Sequence, residues 1–338
     1  MLRVASLKDI VVSNTEKEFK LTSAEELMSE RKNSWVGWKC SAGVDNIHIT
    51  SDGNIFTATC RVGGLLGNVF DTGVLLPRHW IACNKQWCMC GDDMKLLKVK
   101  DKESAVLSAD LFSRQVDNVT NPVLVGNAQY YHLRDFPKNI SWDIGRRCNY
   151  SCSYCPPSTA NNFEAHKSWG SLKQAADLIL TEFCRDKKGK WIFTGGEPTI
   201  NPNYLTLIKY LAQNSQISHT QTNGSRTADY FEELIQFSSI GFSIHLEEAS
   251  IPRILDNVTA IIKTKKINTA AKLNWFGVRI MVTPGSFDKA FSLLGQLKNI
   301  EGFAELCSVN LSTVYKKENG EQLMDYNSEE LQKILAHA

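Results

Sequence analysis

The sequence predicts an α/β chain: a partial (β/α)6 TIM-like barrel with a small cysteine-rich β-hairpin module N-terminal to it. Three observations point there. From residue 140 onward, short apolar runs alternate six times with amphipathic helical patterns, which implies a parallel sheet flanked by helices. Before that point, residues 44–50 and 55–59 flank Asp52-Gly53, a strong hairpin signal. The cysteines fall into two groups, at 40, 60, 83, 88 and 90 and at 148, 152 and 155, with Cys184 and Cys307 standing alone.

Residues 1–35 read as a polar N-terminal extension in which Thr22 to Leu27 open a short helix. Residues 36–95 form the cysteine-rich module. Gly63, Gly64 and Gly67-Asn68 turn the chain tightly before Val69. The module holds few large apolar residues, and such units are often stapled by metal. Residues 96–139 are a connecting segment with a strand at 123–125. The barrel spans 140–315. Its strands are expected at 141–144, 191–193, 218–222, 242–245, 276–282 and 306–314. The intervening helices are expected at 171–183, 203–213, 226–237, 252–265 and 287–297. The first of these puts Leu172, Ala175, Ala176, Ile179, Leu180 and Phe183 on one face. Residues 316–338 are a tail helix opened by an Asn327–Glu330 capping box. Six strands make an incomplete barrel; a flat doubly wound sheet is the alternative. In either, function falls on loops at the C-terminal ends of the strands.

The 338 residues suit two domains, and 43% apolar with 22% charged residues is an ordinary globular composition. A net charge of +2 supplies no field that demands nucleic acid. The basic pairs Lys187-Lys188, Lys265-Lys266 and Lys316-Lys317 lack interleaved aromatics, so nucleic acid is not the favoured partner. Charged residues interrupt the N-terminus, no run approaches a membrane span, and a cytoplasmic location is the expectation. A reducing compartment disfavours disulfides, so two thiol groups read as two metal sites.

Cys148, Cys152 and Cys155 lie on the loop after the first barrel strand. Thiolates are soft ligands for iron–sulfur clusters or zinc. Three of them at this spacing wrap three corners of a [4Fe-4S] cluster and leave one iron open to a small chelating ligand. The alternative is a zinc knuckle completed by His166; zinc sites more often pair their ligands in two halves. The run from Cys148 to Cys155, followed by Gly195-Gly196-Glu197-Pro198, resembles the signature of the radical S-adenosylmethionine superfamily. That resemblance implies a partial barrel over about 140–315 and an open iron that binds S-adenosylmethionine. It also implies reductive cleavage to a 5′-deoxyadenosyl radical that takes hydrogen from substrate. Tyr154 matches an aromatic position that lies near adenine in relatives.

Two glycines permit close backbone approach, and Glu197 adds an acceptor. By the resemblance, a carbonyl near Gly195 and Gly196, together with Glu197, holds the methionyl amine. Asn223 either contacts the cofactor or enables a left-handed turn. Ser243 and His245 share one strand face; the resemblance favours Ser243 for the ribose or carboxylate, and His245 is a substrate contact or an interior histidine. Glu247 and Glu248 are substrate contacts or a solvated loop. Arg279 binds a carboxylate or makes a structural ion pair, and the backbone near Met281 meets adenine in relatives.

Cys40, Cys60, Cys83, Cys88 and Cys90 supply five thiols where one [4Fe-4S] cluster takes four; zinc is the alternative. The Cys40-to-Asn68 pattern, with its Asp52-Gly53 hairpin and Gly67-Asn68 pair, resembles auxiliary-cluster modules called SPASM or twitch. In most relatives that module follows the barrel, whereas here it precedes it. The resemblance implies one auxiliary [4Fe-4S] cluster supporting electron transfer, and a flavodoxin- or ferredoxin-type reductant. A peptide or protein side chain is the favoured substrate. A small metabolite such as a sugar or nucleotide, RNA modification, and a non-catalytic electron carrier are the alternatives. Cys184 and Cys307 read as core residues.

Overall fold

A computed structural model describes residues 10–13, 19–22, 24–71, 74, 76, 80–96, 98–99, 123–126, 137–156, 164–185, 188–316 and 324–335. Lys187 and Lys317 of the basic pairs lie outside this set. The chain divides into one unit of Met1–Val4, Trp142–Lys173 and Trp191–Ala338 and another of Ala5–Ser141 and Gln174–Lys190.

The N-terminal unit carries β1 (Ile10–Ser13), β2 (Phe19–Thr22), β3 (Lys39–Cys40), β4 (Asn46–Ile49), β5 (Asn54–Phe56), β6 (Leu65–Asn68), β7 (Ile81–Ala82), β8 (Lys98–Val99) and β9 (Val123–Gly126). One sheet runs β2-β1-β9-β8-β3-β7. The expected strand at 123–125 is β9, paired parallel to β1. The expected hairpin is β4 and β5, paired His48 with Phe56 and Ile49 with Ile55. Its turn closes through Gly53 N–H to Thr50 carbonyl at 2.8 Å. Gly67-Asn68 differs from its reading as a turn: it is the end of a third strand, β6, on β5. Asn68 Nδ2 reaches Asp52 carbonyl and Asn54 Oδ1, both at 3.0 Å, and so ties β6 to the hairpin tip.

The other unit holds the last residues of β10 (Lys138–Asp143) and β11 (Gly189–Thr194), then β12 (Ile217–Thr222), β13 (Ser239–His245), β14 (Phe276–Val282) and β15 (Ser308–Thr313). They neighbour one another in chain order, and β12 to β15 pair parallel. The order is linear, so the six expected strands form an open, partial arrangement. Helices Tyr204–Gln213, Ala228–Leu234, Ile251–Ile267 and Phe287–Lys298 fall between successive strands. Two short helices were not legible, Thr269–Leu273 and Phe303–Leu306; four or five residues are too few to show a period.

Even-numbered residues of β13, Ile240, Phe242 and Ile244, are fully buried. Phe242 packs against Phe231 and Phe276 with ring centroids at 4.8 and 5.4 Å. Each such ring contributes about 1.5–3 kcal/mol on burial. The odd-numbered residues Ser243 and His245 thereby face the opposite side, as their alternation implied. The capping box forms as expected: Glu330 N–H donates to Asn327 Oδ1 at 2.8 Å, and Asn327 N–H to Glu330 Oε2 at 3.1 Å. Among the described residues no helix is long and apolar enough to cross a membrane.

Candidate active site

The loop after β10 is held to the loop after β11 before the first cysteine is reached. Ile144 N–H donates to Thr194 carbonyl at 3.0 Å, Gly196 N–H to Gly145 carbonyl at 2.8 Å and Glu197 N–H to Arg147 carbonyl at 2.7 Å. The two glycines are needed for this contact. A Cβ on Gly195, at φ +123°, would lie 2.4 Å from Gly145 carbonyl oxygen, and one on Gly196 2.2 Å from that of Arg147. The close approach expected toward a ligand is thus also an approach of one backbone segment to another.

Downstream of this junction, Cys148, Cys152 and Cys155 open onto one cavity of about 190 Å³. Tyr150, Thr194 to Glu197, Gln221 to Asn223, Ser243 and His245 line its remaining walls. Burial pushes the Cys148 thiol up and Cys152 to about 12, with neighbouring thiols adding to the shift. A metal group binding here displaces protons from both. His166 lines a separate cleft with Gly145 to Arg147 and Lys167, not the cavity of the three thiols.

Glu197 is buried, and donors surround its carboxylate. Oε1 accepts from Thr199 N–H at 3.0 Å, Thr199 hydroxyl at 2.5 Å and Thr222 hydroxyl at 2.7 Å. Oε2 accepts from Asn223 N–H at 2.6 Å. Burial raises its pKa, while these donors act in the opposite direction. The side chain therefore ties the loop after β11 to the loop after β12.

Strand ends complete the walls. Ser243 Oγ accepts from Gln221 Nε2 at 2.8 Å. Gln221 was not singled out from sequence, although its period-two placement with His219 marks it as facing away from Thr220 and Thr222. Its side chain lies over Gly241, where a Cβ would sit 2.6 Å from Gln221 Oε1. Glu247 accepts Ser153 N–H at 2.7 Å and Ser153 hydroxyl at 2.6 Å, clasping the cysteine loop. Met281 packs with Cys152, Tyr154 and Val314. Arg279 pairs in register with Ser243 but is exposed and does not line the cavity.

His245 Nδ1 pairs with the Tyr154 hydroxyl at 2.7 Å, and the two rings stack at 5.7 Å. Burial lowers the His245 pKa to about 4, against a smaller opposing effect of Glu247. The unfolded chain takes up this proton near pH 6.5. Stability from the neutral imidazole is therefore complete above pH 6.5 and lost as pH falls toward 4. Between pH 7 and 4.5 the metal-free protein is expected to lose about 2–3 kcal/mol more than a His245→Gln variant. Urea midpoints at the two pH values check this; parallel losses in both proteins would refute it.

In the N-terminal unit, Cys40, Cys60, Cys83 and Cys88 line a cavity of about 10 Å³ with Asp93 and Lys98. Cys90 is outside that lining, its Sγ 3.8 Å from Thr59 hydroxyl. Burial pushes Cys60 to about 11 and Cys88 to about 12, and raises Cys40. Lys98 Nζ donates to the carbonyls of Asp93, Met94 and Leu96 at 2.6, 3.2 and 3.0 Å. Asp93 accepts from Asn46 Nδ2 and Cys60 N–H, both at 3.0 Å. Among the described residues, no three Cys, His, Asp or Glu side chains are drawn together as a single-ion site. Cys184 and Cys307 line neither thiol cavity.

The family model described as the Radical SAM superfamily matches residues 142–324. The GTP 3′,8-cyclase of Pasteurella multocida (strain Pm70) is 32% identical over 117 residues, covering 33% of this chain and 32% of the relative. The mycofactocin maturase MftC of Mycobacterium tuberculosis (strain ATCC 25618 / H37Rv) is 26% identical over 209 residues, covering 62% of this chain and 45% of the relative. The chain thus spans less than half the length of these relatives. A crystal structure of Streptococcus suis SuiB bound to S-adenosylmethionine aligns at 14% identity and a TM-score of 0.42, covering 60% of this chain and 46% of that one.

Proposed function

This chain belongs to the radical S-adenosylmethionine superfamily, and from that premise we propose that Cys148, Cys152 and Cys155 hold its [4Fe-4S] cluster with S-adenosylmethionine beside it. The observation that carries the proposal is the cavity onto which all three thiols open, walled by polar groups at the ends of β11, β12 and β13. The thiols supply soft anionic ligands to three irons, and the fourth iron is left for the cofactor. When bound, the pair supplies a 5′-deoxyadenosyl radical that removes hydrogen from substrate.

The chain's own residues orient the cofactor and shape the cavity. Gly195 and Gly196 offer backbone groups to the methionyl amine, and Ser243 offers a hydroxyl to the ribose or carboxylate. Tyr154 and Met281, packed in one cluster with Cys152, are assigned to adenine. Arg279, exposed on the Ser243 face of the sheet and outside this cavity, is not assigned to the cofactor. Glu197 takes part by holding the loops that carry these groups. In this reading residues 140–315 are the catalytic barrel and 36–95 a SPASM- or twitch-like module. The module's auxiliary [4Fe-4S] cluster is assigned to Cys40, Cys60, Cys83 and Cys88, supported by the gathering of these four residues around one small cleft. Reduction comes from a flavodoxin- or ferredoxin-type partner.

A peptide or protein side chain is the proposed substrate, supported by the likeness to a maturase over 62% of this chain. A nucleotide is the second reading, supported by the likeness to a GTP cyclase. Anaerobic reconstitution tests the assignment. The wild type and Cys90→Ser should each load about eight irons per chain and release 5′-deoxyadenosine once reduced, while Cys60→Ser should load about four. Loading of about four irons by the wild type would remove the auxiliary cluster from the reading, and loading of about eight by Cys60→Ser would remove Cys60 from its ligands. Stimulation of release by GTP and not by peptides would favour the nucleotide.

A further inference from the structure

Asn223 follows β12 and is 5% exposed. Its side chain is fixed at both ends. Oδ1 accepts Ser225 N–H at 3.0 Å. Nδ2 donates to Asn149 Oδ1 at 3.0 Å and lies 3.9 Å from Cys148 Sγ. These partners decide which end of the amide faces sulfur. Reversed, Nδ2 would meet the Ser225 N–H and Oδ1 would meet Asn149 Oδ1, two repulsive contacts. The backbone is fixed as well, because Asn223 N–H donates to Glu197 Oε2 at 2.6 Å. Cys148 Sγ accepts a second donor, Tyr150 N–H, at 3.4 Å.

A donor directed at a ligating thiolate draws negative charge away from the cluster. It stabilises the reduced, more negative state and so raises the reduction potential. We propose that Asn223 is a positioning residue whose amide N–H on Cys148 raises the reduction potential of the cluster at Cys148, Cys152 and Cys155, with Glu197 holding it in register. The proposal rests on the assignment of that cluster to those three cysteines. It makes Asn223 act through Cys148, so its effect is present without S-adenosylmethionine. A residue that only contacted the cofactor would leave the potential of the cofactor-free protein unchanged.

The test uses the full chain, reconstituted anaerobically, poised at a series of potentials without S-adenosylmethionine and read by electron paramagnetic resonance. The signal followed is the one missing from Cys148→Ala. Asn223→Ser is neutral, keeps an acceptor for Ser225 N–H and is too short to reach the sulfur. It is expected to move the midpoint of that signal to more negative potential at unchanged iron content. Asn223→Thr repeats the test with a second neutral side chain. Asn223→Asp adds a negative charge and is expected to move the midpoint further in the same direction. Neutral variants with the wild-type midpoint would overturn the proposal, whatever aspartate does. Absence of any Cys148-dependent signal in the wild type would instead overturn the ligand assignment, and this proposal with it.

Discussion

Alanine at Cys148, Cys152 or Cys155 is expected to remove about four irons per chain and to reduce 5′-deoxyadenosine release to background. Three thiols hold three irons, so no spare ligand exists within the loop to replace a lost one. The neighbouring donors do not substitute: His166 lines another cleft, and Glu247 is occupied by Ser153. Cys152 is 7% exposed and packs with Tyr154 and Val314, so its alanine variant costs about 1 kcal/mol of stability. The fold therefore survives while the chemistry does not, and circular dichroism with an iron count separates the two. Cys184→Ala, which alters a buried thiol outside both cavities, should retain full iron and full activity. A Cys152→Ala protein that still released deoxyadenosine at the wild-type rate would overturn the assignment of the radical site.

What was legible in the sequence was whatever repeats or clusters locally. The alternation of Phe242, Ser243, Ile244 and His245 announces a strand and puts Ser243 and His245 on one face, because a strand sends successive side chains to opposite sides. Asn327 and Glu330 announced a helix start because their bonds run between residues three apart. The three cysteines were legible because one loop carries them all. Contacts made across the sheet left no such mark. Nothing local says that Gly241 is glycine because Gln221 lies over it, or that Gly195 and Gly196 make room for the carbonyls of Gly145 and Arg147. Glu247 reads from sequence as a solvated acid more readily than as a substrate contact, since its partner Ser153 is ninety-odd residues away. Resemblance alone assigns Glu197 to the cofactor. Its four donors come from Thr199, Thr222 and Asn223, and only the fold brings the last two beside it.

Those four donors make Glu197→Ala the most damaging single change expected outside the cysteines. The hydroxyls of Thr199 and Thr222 lie 3.5 Å apart and can turn toward each other once the carboxylate is gone. The N–H groups of Thr199 and Asn223 cannot turn, and each is left buried without its acceptor. An unsatisfied buried donor costs about 1–3 kcal/mol, and the vacated volume adds to that. A total loss of about 3–5 kcal/mol is expected, a large share of a typical native stability of about 5–15 kcal/mol. Glu197→Gln distinguishes charge from geometry. Its carbonyl oxygen keeps the three donors on the Oε1 side, but its amide nitrogen then faces the Asn223 N–H, donor against donor. It should fall between the wild type and alanine, losing about 1–3 kcal/mol. Hydrogen exchange locates the damage: in both variants the Asn223 amide should lose protection, and in alanine the Thr199 amide as well. The Glu197 N–H bond to Arg147 carbonyl involves only backbone, so the cysteine loop should stay in place. An alanine variant within 1 kcal/mol of the wild type, with both amides still protected, would show that the carboxylate does not join the two loops.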